Sequence, residues 1–420
     1  MKEESTHIDE VAKYLRRNFL GHSIEGGLYI GGLAFIARET VLPPLIKDLG
    51  GPVWLVSIVP FLDHVGVYLP SIFVVHFLER LRWKMPALML TGFLQRIPML
   101  LAGLFLFFFS GKLPWLTLMI VAFAPLMSGI FCGVTYPAWV ELVAKTIPAR
   151  RRASLFAIRL IIASVIGFCA GEVIKNVLSS RPGPEGFAIL HFCAFGCLAL
   201  SYIVFSRIKE TNLPPKLSER NGTLAASFRE IPQLLREDKR FARYLLSIAL
   251  LNGSFIALPF LSIHALDRLG KPASFLGDLV IAMVAGKFVA NFICGYLGDR
   301  FGGKIGLAIS MVLYMLMFAA SIFANSVFGF YAVFFVAGYC RDSGFVCRAT
   351  MNVDIPPPER RVKYQSILTV AVLPSIIAMP LLGGLVRTVT GSYAPVALLA
   401  AVSVFFAFVL LLKIKEPRFG

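Results

Sequence analysis

In 420 residues the chain carries 57% hydrophobic and only 15% charged residues, with a mean hydropathy of +0.76, too apolar a balance for a water-soluble protein of this size. Its formal net charge of +17 raises nucleic acid as a partner, but the bases are scattered between apolar runs instead of forming one patch, which argues against that reading. Strands of a membrane barrel are also disfavoured, because they would be shorter than these runs and would alternate in polarity.

A helix needs about 20 apolar residues to cross roughly 30 Å of hydrocarbon. The polar start Met1-Lys2-Glu3-Glu4-Ser5, with no small-residue cleavage site after the first apolar run, predicts that the first span stays in the protein, and residues 1–17 are expected as a cytoplasmic N-terminus. Six spans are expected at about 18–42, 52–77, 86–110, 113–143, 153–177 and 186–206, forming an N-terminal bundle over 18–206. A polar stretch at 207–241 follows as a cytoplasmic linker. Within it Phe228, Ile231, Leu234 and Leu235 alternate with Arg229, Glu230, Arg236, Lys239 and Arg240 at helical spacing, which predicts an amphipathic surface helix. Six more spans are expected at about 242–266, 273–297, 304–325, 327–350, 365–389 and 392–413, forming a C-terminal bundle over 242–413 and leaving 414–420 as a cytoplasmic tail.

The bases gather at every second connection: Lys13, Arg16 and Arg17, then Arg80, Arg82 and Lys84, then Lys145 and Arg150 to Arg152, then the linker, Arg300 and Lys304, Arg360, Arg361 and Lys363, and Lys413 and Lys415. Cytoplasmic loops are enriched in this way, so both termini are expected in the cytoplasm and the number of spans is even. A plasma (inner) membrane location is expected. The Asn221-Gly222-Thr223 sequon would then go unused. All seven cysteines fall within expected spans without ligand spacing and are read as packing residues; no metal or cofactor is expected.

Two pairs of connections show that the halves are related. Glu79-Arg80 with Lys84, between spans 2 and 3, matches Asp299-Arg300 with Lys304, between spans 8 and 9. Ile147-Pro148 followed by Arg150 and Arg151, between spans 4 and 5, matches Ile355-Pro356 followed by Arg360 and Arg361, between spans 10 and 11. In order and in register with the spans, they indicate a duplicated six-helix unit.

The segment Gly295-Tyr296-Leu297-Gly298-Asp299-Arg300-Phe301-Gly302-Gly303-Lys304 resembles the loop signature of the major facilitator superfamily, Gly-x-Leu-(Gly/Ala)-Asp-Arg-x-Gly-(Arg/Lys)-(Arg/Lys). The first-half copy is degenerate, with His76 and Leu78 before Glu79 and no glycines after Arg80. The resemblance implies an all-α membrane protein with twelve transmembrane helices in two pseudo-symmetric six-helix bundles. It also implies that the bundles rock about a midplane site, with spans 1, 4, 7 and 10 nearest the cavity.

A charge at mid-membrane costs roughly 2.5–3.5 kcal/mol on insertion scales, so those present must be paired or line water. Near mid-depth stand Glu25 on span 1, Asp63 and His64 on span 2, Arg159 on span 5, Lys287 with Asn291 on span 8, and Arg341 with Asp342 on span 10. One reading makes an acid among Glu25, Asp63 and Asp342 cycle a proton while Arg159, Lys287 or Arg341 binds substrate. The other makes Glu25–Arg159 and Lys287–Asp342 static interhelical pairs. Arg96 is expected to reach a neighbouring carbonyl, Arg38 and Glu39 to reach water at a span end, and Gly27, Gly31, Gly383 and Gly384 to serve close packing. Glu79, Arg80, Lys84, Asp299, Arg300 and Lys304 are candidates for a gating latch at the cytoplasmic helix ends.

No zinc-protease motif, phosphate-binding loop or nucleophile elbow is present, so an enzyme is not expected. The expected activity is secondary transport of a small polar or anionic solute, driven by proton-coupled uptake, with solute, proton and lipid bilayer as partners. Span 5 lacks the Gly-Pro-x-x-Gly-Gly run typical of drug/proton antiporters, which leans toward uptake. Efflux of amphipathic compounds, and a non-transporting membrane receptor or scaffold, are the alternatives.

Overall fold

The computed structural model describes residues 2–68, 70, 83–211, 232–357 and 360–415, with backbone alone at 2–9, 295, 297–299, 362, 363 and 366. Every regular element among the described residues is helical. The first half holds α1 (Lys2–Gly32), α2 (Leu42–Asp48), α3 (Val53–Ile58), α4 (Met85–Phe108), α5 (Pro114–Thr146), α6 (Ala149–Ser180) and α7 (Pro184–Phe205). The second holds α8 (Lys239–Leu251), α9 (Leu258–Leu269), α10 (Phe275–Phe301), α11 (Gly303–Phe323), α12 (Val327–Asp354), α13 (Arg361–Thr390) and α14 (Tyr393–Leu412). Prolines stand in the first turns of α2, α4, α5, α7 and α9, where a missing N–H costs nothing. Gly270 and Gly391, at φ +60° and +64°, end α9 and α13 in the left-handed conformation that other residues avoid.

Nine described spans are long and apolar enough to cross a bilayer. The expected spans outside that set are 1, 2 and 10, and these carry Glu25, Asp63 with His64, and Arg341 with Asp342.

Three boundaries differ from expectation. The helix of span 1 begins at Lys2, so the residues expected as a tail continue it. It also stops at Gly32 and gives way to a 3₁₀ turn over Leu33–Ile36. Span 7 is broken in the same manner, with a 3₁₀ turn over Asn252–Ile256 between α8 and α9. There the backbone must come close to its neighbour, since a Cβ on Gly253 would lie 2.1 Å from Ser403 Oγ, and Pro259 denies the ladder a donor. The described part of span 2 is helical over 53–68 apart from a 3₁₀ turn at Val59–Phe61, which holds Pro60; residues 69 and 71–77 lie outside the described residues.

The described residues divide into two compact units, one within Met1–Ala37 and Leu62–Asn221, the other within Arg38–Phe61 and Gly222–Gly420. Inside each, helices meet backbone to backbone at glycine, as they do where lipid supplies no hydrophobic drive. In the first unit a Cβ on Gly129 would lie 2.4 Å from Asp63 O, and one on Gly66 2.5 Å from Leu126 O. In the second, a Cβ on Gly338 would lie 2.0 Å from Met283 O, and one on Gly286 1.8 Å from Phe335 O. Spans 2 and 4 therefore cross as spans 8 and 10 do. Gly66 stands as far ahead of Gly286 as Arg80 does of Arg300, so the crossing extends the register of the loop repeat into the membrane.

Candidate transport site

In the first unit, α1 and α6 pack through Gly27 and Gly31, where added Cβ atoms would lie 2.3 Å from Ile162 Cγ2 and 2.6 Å from Ile166 Cβ. This approach sets Glu25 beside Arg159. The Arg159 Nη1 donates to Glu25 Oε2 and to His22 O, both at 3.1 Å, and the guanidinium lies 4.7 Å from the centre of the Trp139 ring. Both charges are 7% exposed, and Gly26 leaves room for the guanidinium, since a Cβ there would lie 2.0 Å from Arg159 Cζ. The buried pair ties span 1 to span 5, with Trp139 of span 4 against the guanidinium. His22 meets Thr146 Oγ1 through Nε2 at 3.1 Å, while its Nδ1 is buried without a hydrogen-bond partner among the described residues.

Arg96 donates to Leu198 O at 2.7 Å, to Gly92 O at 2.6 Å and to Ser201 Oγ at 3.2 Å, and lies over the rings of Tyr29 and Tyr202. It holds span 3 to span 6 through carbonyls. Asp63 and His64 form their own contact, Oδ1 to Nδ1 at 2.9 Å, just after the 3₁₀ turn at Val59–Phe61 and at the glycine crossing with α5. Asp63 is buried and His64 half-buried. A carboxylate touching an imidazole is a pair across which one proton can be shared.

In the second unit, Asp342 accepts from Asn291 Nδ2 at 3.1 Å. The expected Lys287–Asp342 ion pair is not formed among the described residues. Lys287 and Asn291 stand one turn apart on the same helix face, and it is the amide that meets the carboxylate. Lys287, half-buried, has no hydrogen bond or ion pair among the described residues. Arg341 brings Nη1 to 2.9 Å from Glu39 Oε1, an ion-pair contact not aligned as a hydrogen bond, and lies over Phe255, which stacks on Phe61 at 4.1 Å.

Glu39 was expected to reach water, and the structure corrects that: it is 7% exposed. Because the helix stops at Gly32, Glu39 sits in the turn before α2, and that turn packs inside the second unit. Hydropathy marked the acid as near a span end but carried no signal of its distant partner.

Of the proposed latch, Glu79 and Arg80 lie outside the described residues, as does the side chain of Asp299. Arg300 donates to Tyr296 OH at 2.7 Å, and Lys304 Nζ lies 3.5 Å from Leu412 O, at the end of α14. Lys84 belongs to a larger cluster. Its Nζ meets Glu141 Oε2 at 3.0 Å, and its backbone N donates to both Glu210 oxygens at 3.0 Å. Met85 N adds a bond to Glu210 at 2.9 Å, and Lys145 Nζ reaches Glu141 and Glu210 at 3.5 and 3.4 Å. Lys84 is fully buried and Lys145 is 3% exposed. An acid at the start of α4 is favoured by the helix dipole and by the unpaired first N–H groups. Glu210 thereby fastens the chain leaving α7 to α4 and α5, aided by Asn18, which exchanges two 2.9 Å bonds with the Lys209 backbone. Glu210 lies just past the last apolar run, and nothing local in the sequence distinguishes it from an ordinary loop acid.

Residues 243–419 match the family model described as Major Facilitator Superfamily. No curated protein matches the sequence. Among solved structures, a mutant of the nucleoside transporter NupG is similar at 15% identity and a TM-score of 0.71, covering 94% of this chain and 100% of that one. A D-xylose-proton symporter is similar at 14% identity and 0.70, over 96% and 99%. A bacterial homologue of the iron transporter ferroportin, in an inward-facing state, is similar at 13% identity and 0.70, over 95% and 98%. The second half thus matches the major facilitator superfamily model, and the fold of these solved transporters extends along nearly the whole chain, whose helices are long and apolar enough to cross a membrane many times.

Proposed function

We propose that the protein is a proton-coupled secondary transporter that takes up a small anionic solute by alternating access, in a plasma membrane with both termini cytoplasmic. The observation that carries this reading is the inequality among its intramembrane cations. Arg96 is spent on carbonyls, Arg159 on Glu25 and Arg341 on Glu39. Lys287 alone of these four is half-buried in a span without a partner among the described residues. An unpaired ammonium in the bilayer costs roughly 2.5–3.5 kcal/mol unless it lines water, and a carboxylate or phosphate brought by a solute would offset that cost. The Asp63–His64 contact supplies a group whose proton can be held or released as its surroundings change. A proton symporter among the proteins of similar fold is in keeping with this coupling.

The test is reconstitution into liposomes with an imposed pH gradient and pooled carboxylated and phosphorylated metabolites. Uptake driven by external acid is expected. Lys287→Gln should raise the apparent KM for the solute at least ten-fold, and Asp63→Asn should abolish acid-driven uptake while leaving solute exchange measurable. Uptake confined to neutral or cationic compounds would remove the anion assignment, and coupling unchanged in Asp63→Asn would remove that residue as the proton site.

A further inference from the structure

A groove of about 370 Å³ opens on the first unit between the early part of α1 and the connection from α5 to α6, lined by Val11, Ala12, Leu15, Ile147, Pro148 and Arg150, among others. Its volume is that of a ligand site, roughly 300–1,000 Å³. The floor continues into the bundle: Leu15 packs on the buried cluster of Val143, Ile147 and Leu155, and so does Trp139. The lining lies at the connection between spans 4 and 5, just outside the expected apolar layer, and its floor meets that layer at Val143 and Leu155.

The bases around it are not equivalent. Lys145, also in the lining, is neutralised by Glu141 and Glu210. Arg152 donates to Ile147 O and Ala144 O and so closes the end of α5. Arg150 and Arg151 are exposed, and their side chains have no partner among the described residues; nor has that of Arg16, one turn beyond Ala12 on α1. Glu10, the acid nearest on α1 among the described side chains, has a partner of its own. Three guanidinium groups without a partner among the described residues therefore flank an apolar slot that has no free acid among the described side chains.

We propose that this groove holds an anionic phospholipid, with acyl chain along Val11, Leu15 and Ile147 and phosphate among Arg16, Arg150 and Arg151. A soluble anion would leave the apolar floor uncovered. A zwitterionic headgroup would bring its own cation next to three guanidinium groups, with no free acid among the described side chains to receive it. Basic pockets between helices at the membrane boundary recognise acidic headgroups in this way, and Arg suits phosphate because its planar fork can donate twice. The bound lipid ties α1 to the start of α6, the two helices that Glu25 and Arg159 join deeper in the bundle.

Trp139 reports on the floor. In the full-length protein, Trp54, Trp83 and Trp115, all well exposed, are changed to Phe, and the protein is placed in neutral vesicles doped with brominated phosphatidylglycerol or with brominated phosphatidylcholine. The acidic lipid should quench Trp139 at a several-fold lower mole fraction than the neutral one. This preference should vanish in Arg150→Gln/Arg151→Gln, return in Arg150→Lys/Arg151→Lys, and weaken in high salt. Equal quenching by the two lipids overturns the proposal, as does a preference that survives the Gln variant. A preference that appears only when residues 212–231 are replaced by a Gly/Ser segment assigns the groove to the chain's own linker and also overturns it.

Discussion

Arg341 on α12 and Glu39 in the turn before α2 meet at 2.9 Å inside the second unit, beneath the stacked rings of Phe61 and Phe255. Removing one member of such a pair leaves the other charge buried and uncompensated, which costs about 3–5 kcal/mol, whereas removing both costs far less. Glu39→Gln and Arg341→Gln are each expected to lower the melting temperature of the purified protein, and the double variant to recover more than half of the loss. Additive losses in thermal unfolding would show that the two side chains act independently.

Gly26 is the position against which the Arg159 guanidinium rests. A methyl group there overlaps the guanidinium, so Gly26→Ala is expected to push it from Glu25 and off Trp139, at a cost of about 1–3 kcal/mol as for other overpacked sites. Gly50→Ala meets nothing within 4 Å and serves as a contrast, since its φ of +78° strains the backbone without touching the pair. Trp139 emission should shift in Gly26→Ala and stay unchanged in Gly50→Ala. The same emission in both variants would mean that the guanidinium has another place to go.

Glu210 accepts from the Lys84 and Met85 backbones and from Lys145. Glu210→Ala takes from buried Lys145 one of its two acids and leaves the first N–H groups of α4 without their acceptor, and should cost about 1–3 kcal/mol. Glu210→Gln keeps acceptors for the N–H groups and should lose less. Urea or heat unfolding of the two variants measures the difference, and equal losses would indicate that the charge of Glu210 carries the whole effect.

The two glycine crossings predict matched behaviour in the two halves. Gly129→Ala and Gly338→Ala both drive a methyl group into a backbone carbonyl, of Asp63 and of Met283. Each should lower thermal stability by a similar amount, about 1–3 kcal/mol. Gly129→Ala should also disturb proton coupling more than Gly338→Ala, because the carbonyl it meets belongs to Asp63. Equal coupling defects, measured as solute uptake against the pH gradient, would separate the crossing from the Asp63–His64 pair.

Much of the fold was legible because membrane insertion reads local properties. The apolar runs, the prolines and glycines that break them, and the loop pairs around Arg80 and Arg300 are short-range features, and they led to twelve spans in two related halves. The charged candidates were legible for the same reason: Glu25, Asp63, Arg159, Lys287, Arg341 and Asp342 each interrupt an apolar run. Their partners were less so. Glu25–Arg159 was anticipated, but Glu39, Glu210 and Asn291 take their roles from residues far away in the chain.

The sequence by itself determined that this chain crosses a membrane many times, that its halves repeat, and that several charges must be shielded from lipid, because the bilayer penalises each segment on its own composition. Only the tertiary structure decided which charges shield one another. A partner depends on where helices break and how closely glycines let their backbones approach, as at Gly32, Gly253 and Gly338, and those contacts join residues that no local pattern connects. From that came the distinction on which the transport reading rests, between Arg159 and Arg341, held by acids, and Lys287, which no acid holds among the described residues.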